Sequence, residues 1–118
     1  MKNNIALLKD AILKSNRILI LTHTSPDGDA LGSVAALKQI ISKMGKEADC
    51  FLEELCPARF PHLQDCFSVK KTTEEIYDLV ILADCADRGR TGMMYPTPKT
   101  ICFVDHHISI RKMDKSMW

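Results

Sequence analysis

The sequence predicts an α/β protein with a mostly parallel sheet flanked by helices. Three short runs are continuously apolar apart from end residues in two of them, as expected of parallel strands that are covered on both faces. Helical or loop-like segments separate them, and this alternation favours a parallel sheet. Acidic residues follow each run, at the end of a strand where open α/β sheets bind ligands. The three runs are residues 17–22, Leu79–Ala83 and Thr100–Val104.

Composition places the chain among ordinary globular proteins. Its 118 residues are 46% hydrophobic and 26% charged, which suits one small domain with its own core and not a disordered chain. The formal net charge of +1 gives no electrostatic reason to expect binding to duplex DNA or to a membrane surface. Any contact with nucleic acid would therefore come from a local site.

The cysteines and the apolar runs indicate the compartment. The five cysteines are odd in number and show no C-x-x-C spacing, so we expect free thiols, most of them buried, in a reducing environment. Lys2 and Lys9 interrupt the N-terminal apolar residues, which argues against a signal peptide. Since no apolar run approaches the ~20 residues of a membrane helix, the expected location is the cytoplasm.

The N-terminal part of the chain predicts a helix, a strand, an acidic turn and a second helix. Asn4 can cap the first helix, in which Ile5, Leu8 and Ile12 recur at helical spacing. Gly45 is a good residue to end the second helix. The second helix carries one broad apolar stripe, formed by Leu31, Val34, Leu37, Ile41 and Met44.

The remaining segments are less regular. Residues 47–52 predict a second strand, whereas prolines interrupt residues 53–71, where a short helix over 58–63 fits the pattern. Residues 73–77 suggest one helical turn, and the glycines and prolines of residues 88–99 indicate a loop. Together with the three apolar strands, these segments predict a Rossmann-like sheet.

Carboxylates and imidazoles are concentrated directly after the three apolar strands. In a parallel sheet they would meet at one edge, where so many like charges cannot all stay ionised unless something neutralises them. Divalent metal ions are the economical explanation, and this mixture of ligands suits Mn²⁺, Fe²⁺, Zn²⁺ or Co²⁺ better than Ca²⁺. Two ions about 3.5–4 Å apart form a common phosphoester-hydrolysing site. The residues are His23, Asp27, Asp29, Asp84, Asp105, His106 and His107.

These residues form an ordered set of three motifs. The first is His23-x-x-x-Asp27-Gly28-Asp29-Ala30-x-Gly32-Ser33, the second is strand-terminal Asp84, and the third is Asp105-His106-His107. Asp-Gly-Asp alone is a weak signal, but the ordered set behind three strands resembles the first three motifs of the DHH phosphoesterase superfamily. The first motif is most similar to the branch with nano-RNase and 3′-phosphoadenosine 5′-phosphate phosphatase activities.

The resemblance implies a centre with two Mn²⁺ ions, for which Mg²⁺ or Co²⁺ could substitute. His23, Asp27 and Asp84 would hold one ion. Asp29, Asp84 and His106 would hold the second, so that Asp84 bridges the pair. A water between the ions would attack the phosphorus atom in line.

The resemblance also implies roles for three further residues. His107 would face the scissile phosphate and stabilise its charge, and Asp105 would orient the neighbouring histidines. Arg90 matches a family arginine near the second motif and would contact the substrate. The expected substrates are short RNA or DNA oligonucleotides or small nucleotide phosphates.

The end of the sequence departs from the family pattern. Family members supply a further metal-binding Asp after the third motif and continue into a second, substrate-binding domain. We therefore expect residues 1–118 to be an N-terminal DHH-type catalytic domain, incomplete at its C-terminal end and without the second domain. The alternative to a phosphoesterase is a truncated fragment that binds metal or nucleotide without catalysis. The sequence leaves open a homodimer.

Simpler interpretations of the acidic residues stand beside the metal site. Asp29 can complement the positive end of the helix dipole, and Asp27 can be a turn residue. Asp84 and Asp105 can begin ordinary turns after strands. On this interpretation the chain is a structural α/β module of a larger assembly.

Overall fold

A six-stranded sheet organises the described part of the chain. The computed structural model describes residues 4–23, 28–52, 67–69, 72–83, 91, 94–104 and 108–112. The strand order is β3-β2-β1-β4-β5-β6, with the first five strands parallel and β6 antiparallel to β5. The predicted α/β fold with a mostly parallel sheet is therefore confirmed. The elements are α1 (Asn4–Lys14), β1 (Ile18–Leu21), α2 (Gly28–Lys43), β2 (Ala48–Leu52), β3 (Ser68–Val69), β4 (Leu79–Ala83), β5 (Thr100–Val104) and β6 (Ile108–Lys112).

The core has two layers because successive residues of each strand point to opposite faces of the sheet. On one face, Ile18 and Ile20 of β1 pack with buried residues of both helices, such as Ile12 and Ile41. The other face carries the alternate residues of the strands, and the buried rings of Tyr77 and Tyr95 pack there. Burial on both faces explains why the central strands are apolar throughout.

The residues just after each helix explain where it ends. Ser15 lies just after α1, and its hydroxyl donates to the Ala11 carbonyl at 2.7 Å. Gly45 follows α2 with a positive φ of 81°. The Lys46 amide donates to the Ile41 carbonyl at 3.1 Å, and the Gly45 amide to the Ser42 carbonyl at 3.0 Å. This is a Schellman ending, and it confirms the predicted role of Gly45.

Most of the predicted elements are present. The strands Leu79–Ala83 and Thr100–Val104 have the predicted bounds, and those predicted over 17–22 and 47–52 are shorter by one or two residues. The apolar stripe of α2 is buried or half-buried from Leu31 to Met44, whereas Ile5 of α1 is exposed. Cys50 and Cys102 are buried, as expected. Within the described ranges, neither helix is long and apolar enough to span a membrane.

Three features differ from the predictions. The helical turn over residues 73–77 is wrong, because Thr72 forms a β-bridge with Met94 and the Thr73 amide donates to the Met94 carbonyl. The strands β3 and β6 were not predicted. The expected short helix over 58–63 lies outside the described residues, and so do residues 88–90, 92 and 93 of the expected loop over 88–99. Residues 95–98 of that loop are described and form neither helix nor strand, as predicted.

Candidate functional site

The candidate site lies at the carboxyl edge of the sheet, which we define as the side where the parallel strands end. The strand β1 lies between β2 and β4, and β4 lies between β1 and β5. Residues 22–27 link the end of β1 to the first turn of α2, so the amino end of this helix lies at the same edge. The positive end of the helix dipole there favours anionic groups.

The strand register brings the three motifs to neighbouring positions. Leu21 of β1 pairs with Leu82 of β4, and Ala83 pairs with Val104 of β5. The chain then runs from β1 into Thr22 and His23, from β4 into Asp84, and from β5 into Asp105. The three motifs therefore begin on adjacent strands at one edge of the sheet, as the sequence predicts.

The structure describes only part of the predicted ligand set. The imidazole of His23 is half-buried, directly beyond β1, and the backbone of Asp29 lies in the first turn of α2. Among the described residues, no three His, Cys, Asp or Glu side chains come together in a group that could hold a metal ion. All of the ligand and substrate assignments stay predictions. Six of the residues lie outside the described part of the chain: Asp27, Asp84, Arg90, Asp105, His106 and His107.

Thr22 adds an observation that the sequence did not single out. The residue is 4% exposed, and its Oγ1 is shielded from solvent and has no hydrogen-bond partner in the described part of the chain. A buried hydroxyl without a partner costs about 1–3 kcal/mol, so one directly beside a predicted ligand calls for an explanation. The predicted carboxylate and imidazole ligands would suit a divalent ion, and metal ligands of this kind are commonly held by hydrogen bonds from nearby side chains.

The opposite, amino edge of the sheet carries a polar network that the sequence analysis missed. The carboxylate of Asp78 accepts hydrogen bonds from the Asn16 amide at 2.9 Å and the Arg17 amide at 3.0 Å. The Asp78 amide donates back to the Arg17 carbonyl at 2.9 Å. These backbone hydrogen bonds, led by that from Asn16, lower the pKa of the Asp78 carboxyl group, and Lys99 at 3.5 Å adds to the effect.

Tyr77 is the centre of a second group at the amino edge. Its hydroxyl lies 2.7 Å from Oδ2 of Asp49 and 3.0 Å from Oε2 of Glu75, and its single hydrogen serves one carboxylate at a time. The Arg17 guanidinium pairs with Glu75 and stacks 5.8 Å from the centre of the Tyr77 ring. A cavity of about 260 Å³ lies beside this group. Because these polar groups bond to one another, we infer that the network stabilises the fold. Its members are mostly far apart in the sequence, so no local sequence pattern predicts it.

Comparison with known proteins agrees with the motifs. Residues 17–117 match the sequence profile of the DHH family, N-terminal domain. The chain is also 30% identical over 93 residues to the bifunctional oligoribonuclease and PAP phosphatase NrnA of Bacillus subtilis (strain 168), a phosphoesterase. That alignment covers 76% of this chain and 29% of the relative, so the chain spans less than a third of the relative's length. The chain therefore belongs to the DHH family, and its resemblance to the family's N-terminal motifs is confirmed.

Proposed function

We propose that this chain is a metal-dependent phosphoesterase domain that hydrolyses short oligonucleotides or small nucleotide phosphates. The observation that carries the proposal is the order of the strands. Since β1, β4 and β5 are neighbours in register, the three motifs start from one edge of the sheet. Residues far apart in the sequence can thereby form a single centre.

In the proposed centre, five side chains hold two ions. His23, Asp27 and Asp84 bind the first, and Asp29, Asp84 and His106 bind the second. DHH phosphoesterases generally depend on divalent metal ions, and Mn²⁺ is the ion proposed here, with Mg²⁺ or Co²⁺ as substitutes. When bound, such a pair supplies an acidic water and takes up negative charge from the phosphate oxygens.

The other motif residues act on the substrate and on the ligands. His107 donates a hydrogen bond to the phosphate and stabilises the charge that develops there. Asp105 orients the imidazoles that follow it, which fixes the nitrogen that each one presents. Arg90 contacts the substrate, where a planar guanidinium suits phosphate oxygens.

The substrate class follows from the relative and from the charge of the chain. The name of the B. subtilis relative describes an oligoribonuclease and PAP phosphatase, which motivates nucleotide substrates for this chain. A net charge of +1 suits short oligonucleotides better than long duplexes, which bind through many phosphate contacts. The proposed compartment is the cytoplasm, and a homodimer is compatible with this function.

A second candidate is a domain that binds metal or nucleotide without turning the substrate over. The alignment covers 29% of the relative, which favours keeping this alternative. It shares the metal ligands with the leading proposal but makes no use of His107. Binding and turnover must therefore be measured together.

The test is hydrolysis of a chromogenic phosphodiester by the 118-residue chain with Mn²⁺, alongside calorimetric titration of the ion. We expect turnover that the His107→Ala change removes while Mn²⁺ binding persists. Asp10→Ala is the control, because Asp10 lies on α1 and its exposed carboxylate pairs with exposed Lys14 at 2.9 Å. Mn²⁺ binding without turnover would support the second candidate, and loss of both would overturn both.

A further inference from the structure

Thr22 has a buried hydroxyl that no described residue of the fold satisfies. The side chain is 4% exposed, and Oγ1 finds neither solvent nor a hydrogen-bond partner among the described residues. By contrast, the buried hydroxyl of Ser15 donates to the Ala11 carbonyl at 2.7 Å. A buried polar group without a partner calls for an explanation, and a partner that is positioned when an ion binds is one such explanation.

The position of Thr22 shows where that partner would come from. Thr22 lies between the last residue of β1 and His23. Leu21 pairs with Leu82, so continuing the register by one residue places Thr22 level with Ala83, directly before Asp84. Thr22 therefore directly precedes the predicted ligand His23, and it lies beside β4, the strand that leads into the predicted ligand Asp84.

We propose that Thr22 is a positioning residue of the metal centre, an inference that rests on the proposed function. Its hydroxyl donates a hydrogen bond to a carboxylate that binds the same ion as His23, and this bond forms fully when the ion is present. Hydrogen bonds of this kind fix the orientation of metal ligands and raise metal affinity. Thr22 itself contacts neither the ion nor the substrate.

The proposal predicts opposite effects of one substitution. Thr22→Val keeps the shape of the side chain and removes the hydroxyl, so the metal-free protein should melt a few degrees higher because no buried polar atom is left unpaired. The same change should weaken Mn²⁺ binding by about tenfold, the lower end of the range for such supporting hydrogen bonds. A purely structural threonine would not couple these two effects.

The experiment is calorimetric titration of Mn²⁺ into the 118-residue chain, with the melting temperature measured after chelator treatment. Thr22→Ser, which keeps the hydroxyl, should restore most of the affinity. Ser15→Ala removes a buried hydroxyl at the other edge of the sheet, so it should lower the melting temperature and leave the affinity unchanged.

Two results would overturn the inference while the proposed function stands. One is wild-type affinity in Thr22→Val. The other is a lower melting temperature of metal-free Thr22→Val, which would show that the hydroxyl already has a partner. If the wild-type chain binds no Mn²⁺, the proposed function fails, and the inference fails with it.

Discussion

Asp78 joins two strands through bonds between its carboxylate and the backbone before β1. Replacing it with Ala leaves the Asn16 and Arg17 amides without that acceptor, which we expect to cost about 1–3 kcal/mol in the free energy of unfolding. Asp78→Asn keeps an acceptor oxygen and should cost less. Urea unfolding at pH 7 measures both, with Asp10→Ala as an exposed control within about 0.5 kcal/mol of wild type. An Asp78→Ala protein as stable as wild type would contradict this role.

The Asp78 carboxylate also predicts how the stability of the protein changes at acid pH. Because its pKa is lowered in the folded protein, its contribution to stability is complete above the unfolded value of about 3.9 and is lost as the pH falls through the folded pKa. We therefore expect the stability difference between wild type and Asp78→Ala to shrink between pH 5 and pH 2, values taken as roughly bracketing this titration. Urea unfolding across this range measures it, and a difference that does not change with pH would refute the assignment.

Tyr77 contributes stability to the folded protein that is lost at alkaline pH. Burial, together with the hydrogen bond to Asp49, raises the pKa of the Tyr77 hydroxyl. Its contribution is complete below the unfolded pKa of about 10 and is lost as the pH rises further. Burial also raises the pKa of the Cys102 thiol to about 12, so that group adds a loss that begins nearer the unfolded thiol pKa of about 8.5.

Tyr77→Phe separates these two contributions. Urea unfolding between about pH 8 and 11 should show a shallower decline for the variant than for wild type, with the Cys102 part remaining. At pH 7 the variant should lose about 1 kcal/mol, since it loses one hydrogen bond to a carboxylate that solvent can reach. Equal declines in the two proteins would contradict a neutral, buried Tyr77.

Gly32 within α2 and Gly45 just after it should respond to substitution in opposite directions. Gly32 lies inside the helix, and a Cβ added there would meet nothing within 4 Å. Gly32→Ala should therefore stabilise the protein by about 0.5–1 kcal/mol. Gly45 has equal room but a φ of 81°, so Gly45→Ala should destabilise it by about 1 kcal/mol. Chemical unfolding measures the stability of both variants. A change of stability in the same direction for both would contradict the described backbone.

The sequence predicted the elements whose signals are local. The apolar run Leu79–Ala83 and the stripe of α2 are readable because each buries a face determined by its own residues. The strand β6 was missed because Ile108–Lys112 alternates only briefly and takes its place by pairing with β5. The turn expected over 73–77 was wrong for a related reason, since Met94, distant in the sequence, holds the Thr73 amide.

Across the whole molecule, the centre of the sheet should be the most stable part. The strands β1 and β4 have neighbours on both sides, and Leu19, Ile20 and Val80 are fully buried. We expect their amides to exchange hydrogen most slowly, and those of the terminal strands β3 and β6 fastest among the strands. Hydrogen exchange followed by NMR or mass spectrometry measures this order, and faster exchange in β1 than in β6 would contradict the topology.

The candidate site shows how far the sequence could lead. Motif order and strand pattern predicted that the strands leading into the three motifs end at one edge of the sheet, and the register of β1, β4 and β5 confirms it. The spacing of residues along the chain does not determine the distances between their side chains, so the sequence could not predict the geometry of the ligands. Thr22 was invisible as well, because an unpaired buried hydroxyl becomes apparent only in the folded structure.

The central claim is that a divalent metal ion binds across the three strand ends, and its most direct test is the melting temperature with and without Mn²⁺. An ion at about 100 times its Kd should stabilise the wild-type chain by about 2.7 kcal/mol, a shift of several degrees. Asp84→Ala and Asp84→Asn should abolish that shift, because Asp84 is proposed to bind both ions, whereas Asp10→Ala should keep it. A wild-type melting temperature unchanged by Mn²⁺, or an equal shift in the Asp84 variants, would contradict the account.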